Sequence, residues 1–504
     1  MASPVLTRPS ASPWNSAAAL ARFGLPGAAA TTLMALGAMV IGWLAPAAPL
    51  SDDAFLAALR ASALASVLAK IAVVVGAGLL LQTWLRLNRH TAGLSISQSR
   101  TLGSLALVWT APLLAAPVLF SRDVFSYIAH SRLMPAGIDP YLFGTGALPT
   151  YLADGADPLW ASSPAPYGPL WMGISSGVHA VTNAEPTAAL LAFRLLALAG
   201  VGLMVWFLPR LAEAAGADPG RAVWLATLNP LIVFHFGTAA HNDALMIGLL
   251  VAGFALVMTR RPLLGVLLIV AAGAIKSPAL LALPFAGLVW AGSGASWPRR
   301  IGAWAWVGTV TVAAFGVLGW VTGLSQNWLV NLRTPAKVET WLSPSTAVGK
   351  ILGAPAEAFG WASGDAVLAG TRTLGAVAAL AVIAWLVFTP DRRTPLRGFA
   401  LGLGVLVLLG PVIQPWYVLW VLPVLAAAGL TARETRWVVG LSLGLSVYTL
   451  ANVSATTAGF AALPDSVAAA ASVAVMLAMV FAPPYARRIL LPDAPAARTP
   501  AVVA

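Results

Sequence analysis

The chain has 504 residues, of which 59% are hydrophobic and only 9% charged, with 29 Lys and Arg against 17 Asp and Glu. Its mean hydropathy is +0.85. A soluble domain averages about 25% charged residues, so a soluble globular protein of this length is excluded, and with no cysteine the chain has neither disulfides nor thiolate metal sites.

The first apolar run, at 28–46, is longer than the core of a signal peptide and reads as an uncleaved anchor. Further runs follow at 62–84, 101–119, 187–208, 222–238, 244–259, 262–275, 279–292, 301–322, 366–388, 397–413, 418–430, 435–452 and 465–482. Together they predict an all-α, polytopic transmembrane bundle of about fourteen crossings. Positive residues in short loops stay cytoplasmic. One alternation puts Arg86/Arg89, Arg260/Arg261, Arg299/Arg300, Arg392/Arg393, Arg433/Arg436 and Arg487/Arg488 on that side, together with both termini. The segment "YGPLWMGISSGVHAVTN" (167–183) fits this pattern only as a half-length helix at the outer face. Residues 121–186 then form one long extracytoplasmic segment, in which aromatics alternate with Pro and Gly. A loop this long is usually functional. The expected organisation is a flexible cytoplasmic N-terminus (1–26), a transmembrane domain (27–484) and a cytoplasmic Pro/Ala-rich tail (485–504).

The outward ends of the predicted helices carry a polar cluster, and ionisable groups near a membrane are costly unless used. Arg122 and Asp123 open the long loop, and "AAHNDALM" sets His241, Asn242 and Asp243 at the top of a hairpin. Lys276 in "AIKSPALL" and Gln414, Trp416 and Tyr417 in "VIQPWYVLW" occupy similar breaks: apolar run, polar residue, Pro, apolar run, second Pro. Arg333 and Lys337 lie on the same side in "NLRTPAKVETW". Plainer readings stand beside each. Asp123 with Arg122 can mark a helix end, Asp139 can form a turn before Pro140, and Asn242 or Asp243 can cap the next helix. Lys276 can snorkel, Trp416 and Tyr417 can sit in an aromatic belt, and Arg333 and Lys337 can touch headgroups. A carboxylate beside cations and aromatics also suits glycosyl transfer. The acid takes a proton from an acceptor hydroxyl, cations hold a leaving phosphate, and aromatics stack on sugars. No Walker A sequence, GxGxxG, HExxH or DxD motif competes, and no metal-ligand set is visible.

The motifs "RDVFSYIAHSRLMPAGIDPYLFG", "PAPYGPLW", "NPLIVFHFGTAAHNDALM", "AIKSPALLALPF" and "QPWYVLWVLP" together resemble actinobacterial alpha-1,6-mannosyltransferases of the MptB type, which use polyprenyl-phosphate-mannose. The resemblance runs from about residue 100 to 480 and implies a GT-C glycosyltransferase fold with an extracytoplasmic site in the plasma membrane. It implies inverting transfer of mannose to a lipid-anchored alpha-1,6-mannan acceptor in lipomannan and lipoarabinomannan synthesis, without nucleic acid and without a cofactor. Asp123 is its implied general base. Arg122, Tyr127, Arg132, Tyr167, His241, Asn242, Asp243, Lys276, Arg333, Lys337, Gln414, Trp416 and Tyr417 are the substrate-binding candidates. Another lipid-phosphate sugar such as arabinose, or a flippase or transporter with broken helices, is the alternative. The long outer loop favours the enzyme.

Overall fold

The computed structural model describes residues 16–456 and 465–491; the side chains at 16, 333, 335, 452–456 and 465–469 lie outside the described residues. It is all-helical. Among the described residues no strand forms, and two isolated backbone bridges, Trp43–Val118 and Gly144–Pro164, are the nearest approach to one.

The predicted apolar runs coincide with helices. Three long ones come early: α1 (Ala17–Ile41), α2 (Ala63–Leu87) and, after a 3-10 turn, α3 (Ile96–Thr110). Ser62 caps α2 by accepting from the Ala65 N–H, and Ser95 with Gln98 closes a reciprocal capping box on α3. Residues 121–186 then contribute α4 (Asp123–Leu133) and α5 (Pro169–Thr182), the latter a short helix where one is expected around 167–183. α6 (Pro186–Ala214) begins with Pro at N1 and with Glu185 accepting from the Thr187 and Ala188 N–H groups. The run at 222–238 breaks into Pro219–Leu225, Pro230–Ile232 and a π-turn Val233–Thr238. It is followed by α7 (Asp243–Met258), α8 (Pro262–Ile275) and α9 (Ala282–Ala291). The C-terminal half adds α10 (Trp297–Thr322), α11 (Pro344–Ala358), α12 (Gly364–Phe388), α13 (Pro395–Leu409), α14 (Val418–Ala427), α15 (Ala432–Thr456) and α16 (Asp465–Phe481), with a last short helix at Pro484–Leu490. Helix begins at Ser16, so part of the N-terminal stretch expected to be flexible runs straight into α1.

Among the described residues, five helices are each long and apolar enough to cross a membrane, or six if a bent pair towards the C-terminal end is one span. α7, α8, the 277–291 segment, α13 and the 415–427 segment are apolar but shorter. The molecule is therefore a helical membrane protein in which several of the predicted crossings are short helices.

The core is centred on α6, α7 and α8. Gly200 of α6 and Gly248 of α7 let the two backbones meet: a Cβ on Gly200 would stand 2.2 Å from the Ala244 carbonyl oxygen, and one on Gly248 would stand 2.4 Å from that of Gly200. α10 and α12 lie at the periphery and keep apolar faces exposed, with Trp320, Leu374 and Leu380 among the most open. In a membrane those faces meet lipid tails.

Candidate active site

Three backbone breaks assemble the site. The first is the entry to α4. Phe120 takes φ +71°, in the left-handed region that a bulky residue seldom occupies. Four hydrogen bonds from the buried Arg194 guanidinium hold the neighbouring backbone. They run to the Leu114 carbonyl (2.9 Å), the Ala116 carbonyl (2.7 Å) and twice to the Thr238 carbonyl. The Thr238 hydroxyl in turn donates to the Leu119 carbonyl at 3.0 Å. Arg194 thus ties the segment leading to Asp123 to the segment leading to His241, where Ala240 is also left-handed (φ +53°).

The other two breaks follow one plan. α8 ends at Lys276, whose backbone is extended, and a 3-10 turn (Ser277–Leu281) leads into α9. α13 ends before Gln414, also extended, and a 3-10 turn (Pro415–Tyr417) leads into α14. The repeated polar-residue-and-proline pattern in the sequence is thus one device used twice, and both copies face one cavity. Gly168 locks the 121–186 segment against the first: its N–H donates to the Ile275 carbonyl at 3.3 Å, and a Cβ there would stand 2.3 Å from the Ala274 oxygen.

The cavity, of about 100 Å³, brings together Asp123, Tyr167, Lys276, Gln414, Trp416 and Tyr417 from the sequence candidates. Among the described residues Asp123 is the only carboxylate in its wall, with its side chain 30% exposed. Behind the wall lies Asp243, with no exposed side-chain surface. Both of its oxygens accept from Lys276 Nζ at 2.9 Å, and Oδ1 also accepts from the Trp420 indole N–H at 2.5 Å. His241 Nδ1 stands 3.5 Å from Asp123 and 3.9 Å from Asp243, and its ring stacks on Trp416 at 4.0 Å between centroids. Asn242 accepts from the Tyr127 hydroxyl at 3.3 Å and makes no cap to α7. Of the plainer readings, then, capping by Asn242 fails, and so does snorkelling by Lys276, which turns inward to a carboxylate.

Other candidates serve the scaffold. Arg122 donates to the Gly155 carbonyl (2.8 Å), and Arg132 donates to Asp154 (3.0 Å) and to the Ala184 carbonyl (2.9 Å). The two arginines grip the 151–157 turn from either end of α4, and neither is in the cavity wall. Lys337 donates to the Ser163 hydroxyl at the rim (2.7 Å). The Arg333 side chain lies outside the described residues. Asp139 forms the expected turn, accepting from the Tyr141 N–H at 2.8 Å. Ser126 and His130 also line the cavity and were missed, although their spacing from Asp123 puts all three on one face of a helix. Trp420, one turn after Tyr417, was likewise not singled out. Among the described residues no group of three His, Cys, Asp or Glu side chains could hold a metal ion.

Such a site, with one carboxylate open to a cavity and a cation in the same wall, can support acid–base chemistry at the ends of apolar helices. Residues 24–292 match the family model for the alpha-(1->6)-mannopyranosyltransferase N-terminal domain, and residues 345–480 match the MptB C-terminal domain. A probable alpha-(1->6)-mannopyranosyltransferase of Mycolicibacterium smegmatis is 36% identical over 83% of this chain and 81% of its own length. Alpha-(1->6)-mannopyranosyltransferase A of Mycobacterium tuberculosis is 33% identical over 85% and 83%. Alpha-(1->6)-mannopyranosyltransferase B of Corynebacterium glutamicum is 31% identical over 70% and 64%. No solved structure matches the chain. The chain belongs to the alpha-(1->6)-mannopyranosyltransferase family and is a membrane-embedded mannosyltransferase.

Proposed function

We propose that the protein transfers mannose from polyprenyl-phosphate-mannose to a lipid-anchored alpha-1,6-mannan acceptor in lipomannan and lipoarabinomannan synthesis, with inversion at the anomeric carbon. The reading rests on one observation. Lys276 stands where the polar cavity meets a second, apolar groove of about 610 Å³, lined by Pro284, Leu380, Ile383 and Leu406 among others. A polyprenyl chain fits that groove, its phosphate comes to rest at Lys276, and the sugar projects into the cavity beside Asp123.

In the step itself, the acceptor 6-hydroxyl oxygen attacks the anomeric carbon and the bond from that carbon to the phosphate oxygen breaks. The hydroxyl proton passes to the Asp123 carboxylate, and polyprenyl phosphate leaves with the bonding pair. An alpha product formed by inversion requires a beta-linked donor. An ammonium has three donors. Lys276 spends two on Asp243 and has one left for the phosphate. Asp243 is sealed behind the wall and anchors Lys276; Asp123 is open to the cavity and is the base. The chain spans the plasma membrane about fourteen times with the cavity on the extracytoplasmic side, following the arginine alternation.

The test is an assay of the purified protein with a synthetic alpha-1,6-mannobioside and labelled mannose on either polyprenyl phosphate or GDP. Transfer from the lipid donor and none from GDP-mannose is expected. Transfer from GDP-mannose alone would overturn the reading.

A further inference from the structure

Asp123 is the first of three polar side chains that α4 turns into the cavity. Ser126 and His130 follow at spacings of three and four residues, on the same helical face, and both line the cavity. Each residue is only 4% exposed. Yet the Ser126 hydroxyl has no hydrogen-bond partner among the described residues, and neither His130 ring nitrogen makes a well-formed hydrogen bond, although the Ser126 carbonyl one turn back lies near the ring. Buried polar atoms without partners are costly and uncommon in folded proteins. Here they stand in line with the base, over about 10 Å of helix at 1.5 Å per residue.

The chemistry of the pair selects its ligand. Burial holds the His130 pKa down to about 4, with the Ser126 carbonyl one turn back opposing, so the imidazole is neutral near pH 7. A neutral imidazole offers one donor and one acceptor, and a serine hydroxyl offers both. That set suits sugar hydroxyls, which also donate and accept, and offers an anion no charge. Trp160 in the same wall adds an aromatic face, and Tyr167 stands edge-on to His130 at 6.1 Å.

Position within the cavity selects which sugar. Lys276, Tyr167 and Tyr417 are shared with the apolar groove, whereas Ser126, His130, Trp160 and Ser163 belong to the polar cavity alone. The lipid-phosphate end and the hydroxyl-binding end are therefore different, and in an in-line displacement the acceptor arrives opposite the phosphate. We infer that Ser126 and His130 form the subsite that holds the hydroxyls of the acceptor mannoside and so aims its 6-hydroxyl at Asp123. This rests on the mannosyl transfer proposed above.

The experiment uses the full chain in lipid nanodiscs, with the alpha-1,6-mannobioside and its mono-deoxy analogues as acceptors. A site built to bond a hydroxyl rejects the analogue that lacks it. In the wild type, one or two deoxy analogues are expected to lose about tenfold or more in kcat/KM. His130→Ala and Ser126→Ala are expected to raise the acceptor KM by a similar factor while the donor KM holds. On the matching deoxy analogue the variant should show little further loss, since the bond is already gone. His130→Gln keeps both a donor group and an acceptor and should recover part of the loss. Unchanged acceptor KM in both alanine variants, a rise in donor KM instead, or fully multiplicative losses on every analogue would overturn the subsite alone. A wild-type protein that does not elongate the mannoside would overturn the proposed function and the subsite with it.

Discussion

At the scale of single residues, the site separates two carboxylates by what they touch. Asp123 has one side open to the cavity, and burial pushes its carboxyl up to about 6, with Lys276 pulling it back and Asp243 adding to the rise. A base works only when deprotonated, so the sign is fixed. Below about pH 6 kcat/KM should fall about tenfold per pH unit, and above about pH 7 it should be flat. A pH–rate profile flat down to pH 5 would remove Asp123 from the role. Asp243 and Lys276 form the opposite case, a buried pair whose members depend on each other. Lys276→Ala leaves a buried carboxylate unpaired and should cost about 3–5 kcal/mol of stability. Lys276→Met with Asp243→Asn should regain most of that stability but not donor affinity. Thermal melts and donor binding on the single and double variants measure the two effects separately; full donor affinity in the double variant would contradict a phosphate contact at Lys276. The sequence already showed Asp123, Lys276 and Asp243 as costly ions near helix ends. It did not show that Asp243 and Lys276 spend themselves largely on each other, because their pairing joins residues 33 apart across a hairpin. Nor did it show that Arg122 and Arg132 turn to backbone carbonyls.

At the scale of elements, the site depends on interruptions. α8 stops at the extended Lys276, α13 stops at Gly410 shortly before the extended Gln414, and the run before α7 ends in a π-turn. The breaks at Lys276 and Gln414 were legible as prolines inside apolar runs; the one at 222–238 was not. What fastens them was not, because Arg194 sits in the middle of an unremarkable apolar helix. Among the described residues its side chain has no carboxylate partner and is spent on carbonyls of two separate segments. Arg194→Ala would leave the Leu114, Ala116 and Thr238 carbonyls without these donors, at about 1–3 kcal/mol each. A loss of about 3 kcal/mol or more in denaturation is therefore expected, with turnover lowered in whatever protein folds. A variant as stable and active as wild type would show that the clamp does not position Asp123 and His241. The match between predicted runs and observed helices is close where the run is long, as at 301–322. It is loosest at 222–238, where hydropathy alone cannot report a helix that changes its winding.

At the scale of the whole molecule, composition alone excluded a soluble protein, and the arginine pairs ordered the loops. The resulting topology is testable with an impermeant thiol reagent, since the chain has no cysteine of its own. Asp157→Cys, at a position 38% exposed in its side chain, should be labelled in intact cells, and Arg261→Cys, also exposed, should not. Labelling at 261 alone would place the cavity on the cytoplasmic side. The 121–186 segment, the two broken hairpins and the Arg194 clamp all converge on one open carboxylate. The most direct measurement is the turnover of Asp123→Asn, which keeps the shape and removes the base. With the protein made at normal levels and donor binding intact, transfer from polyprenyl-phosphate-mannose should fall by about 10²-fold or more; a rate above about a tenth of wild type would contradict general-base catalysis by Asp123.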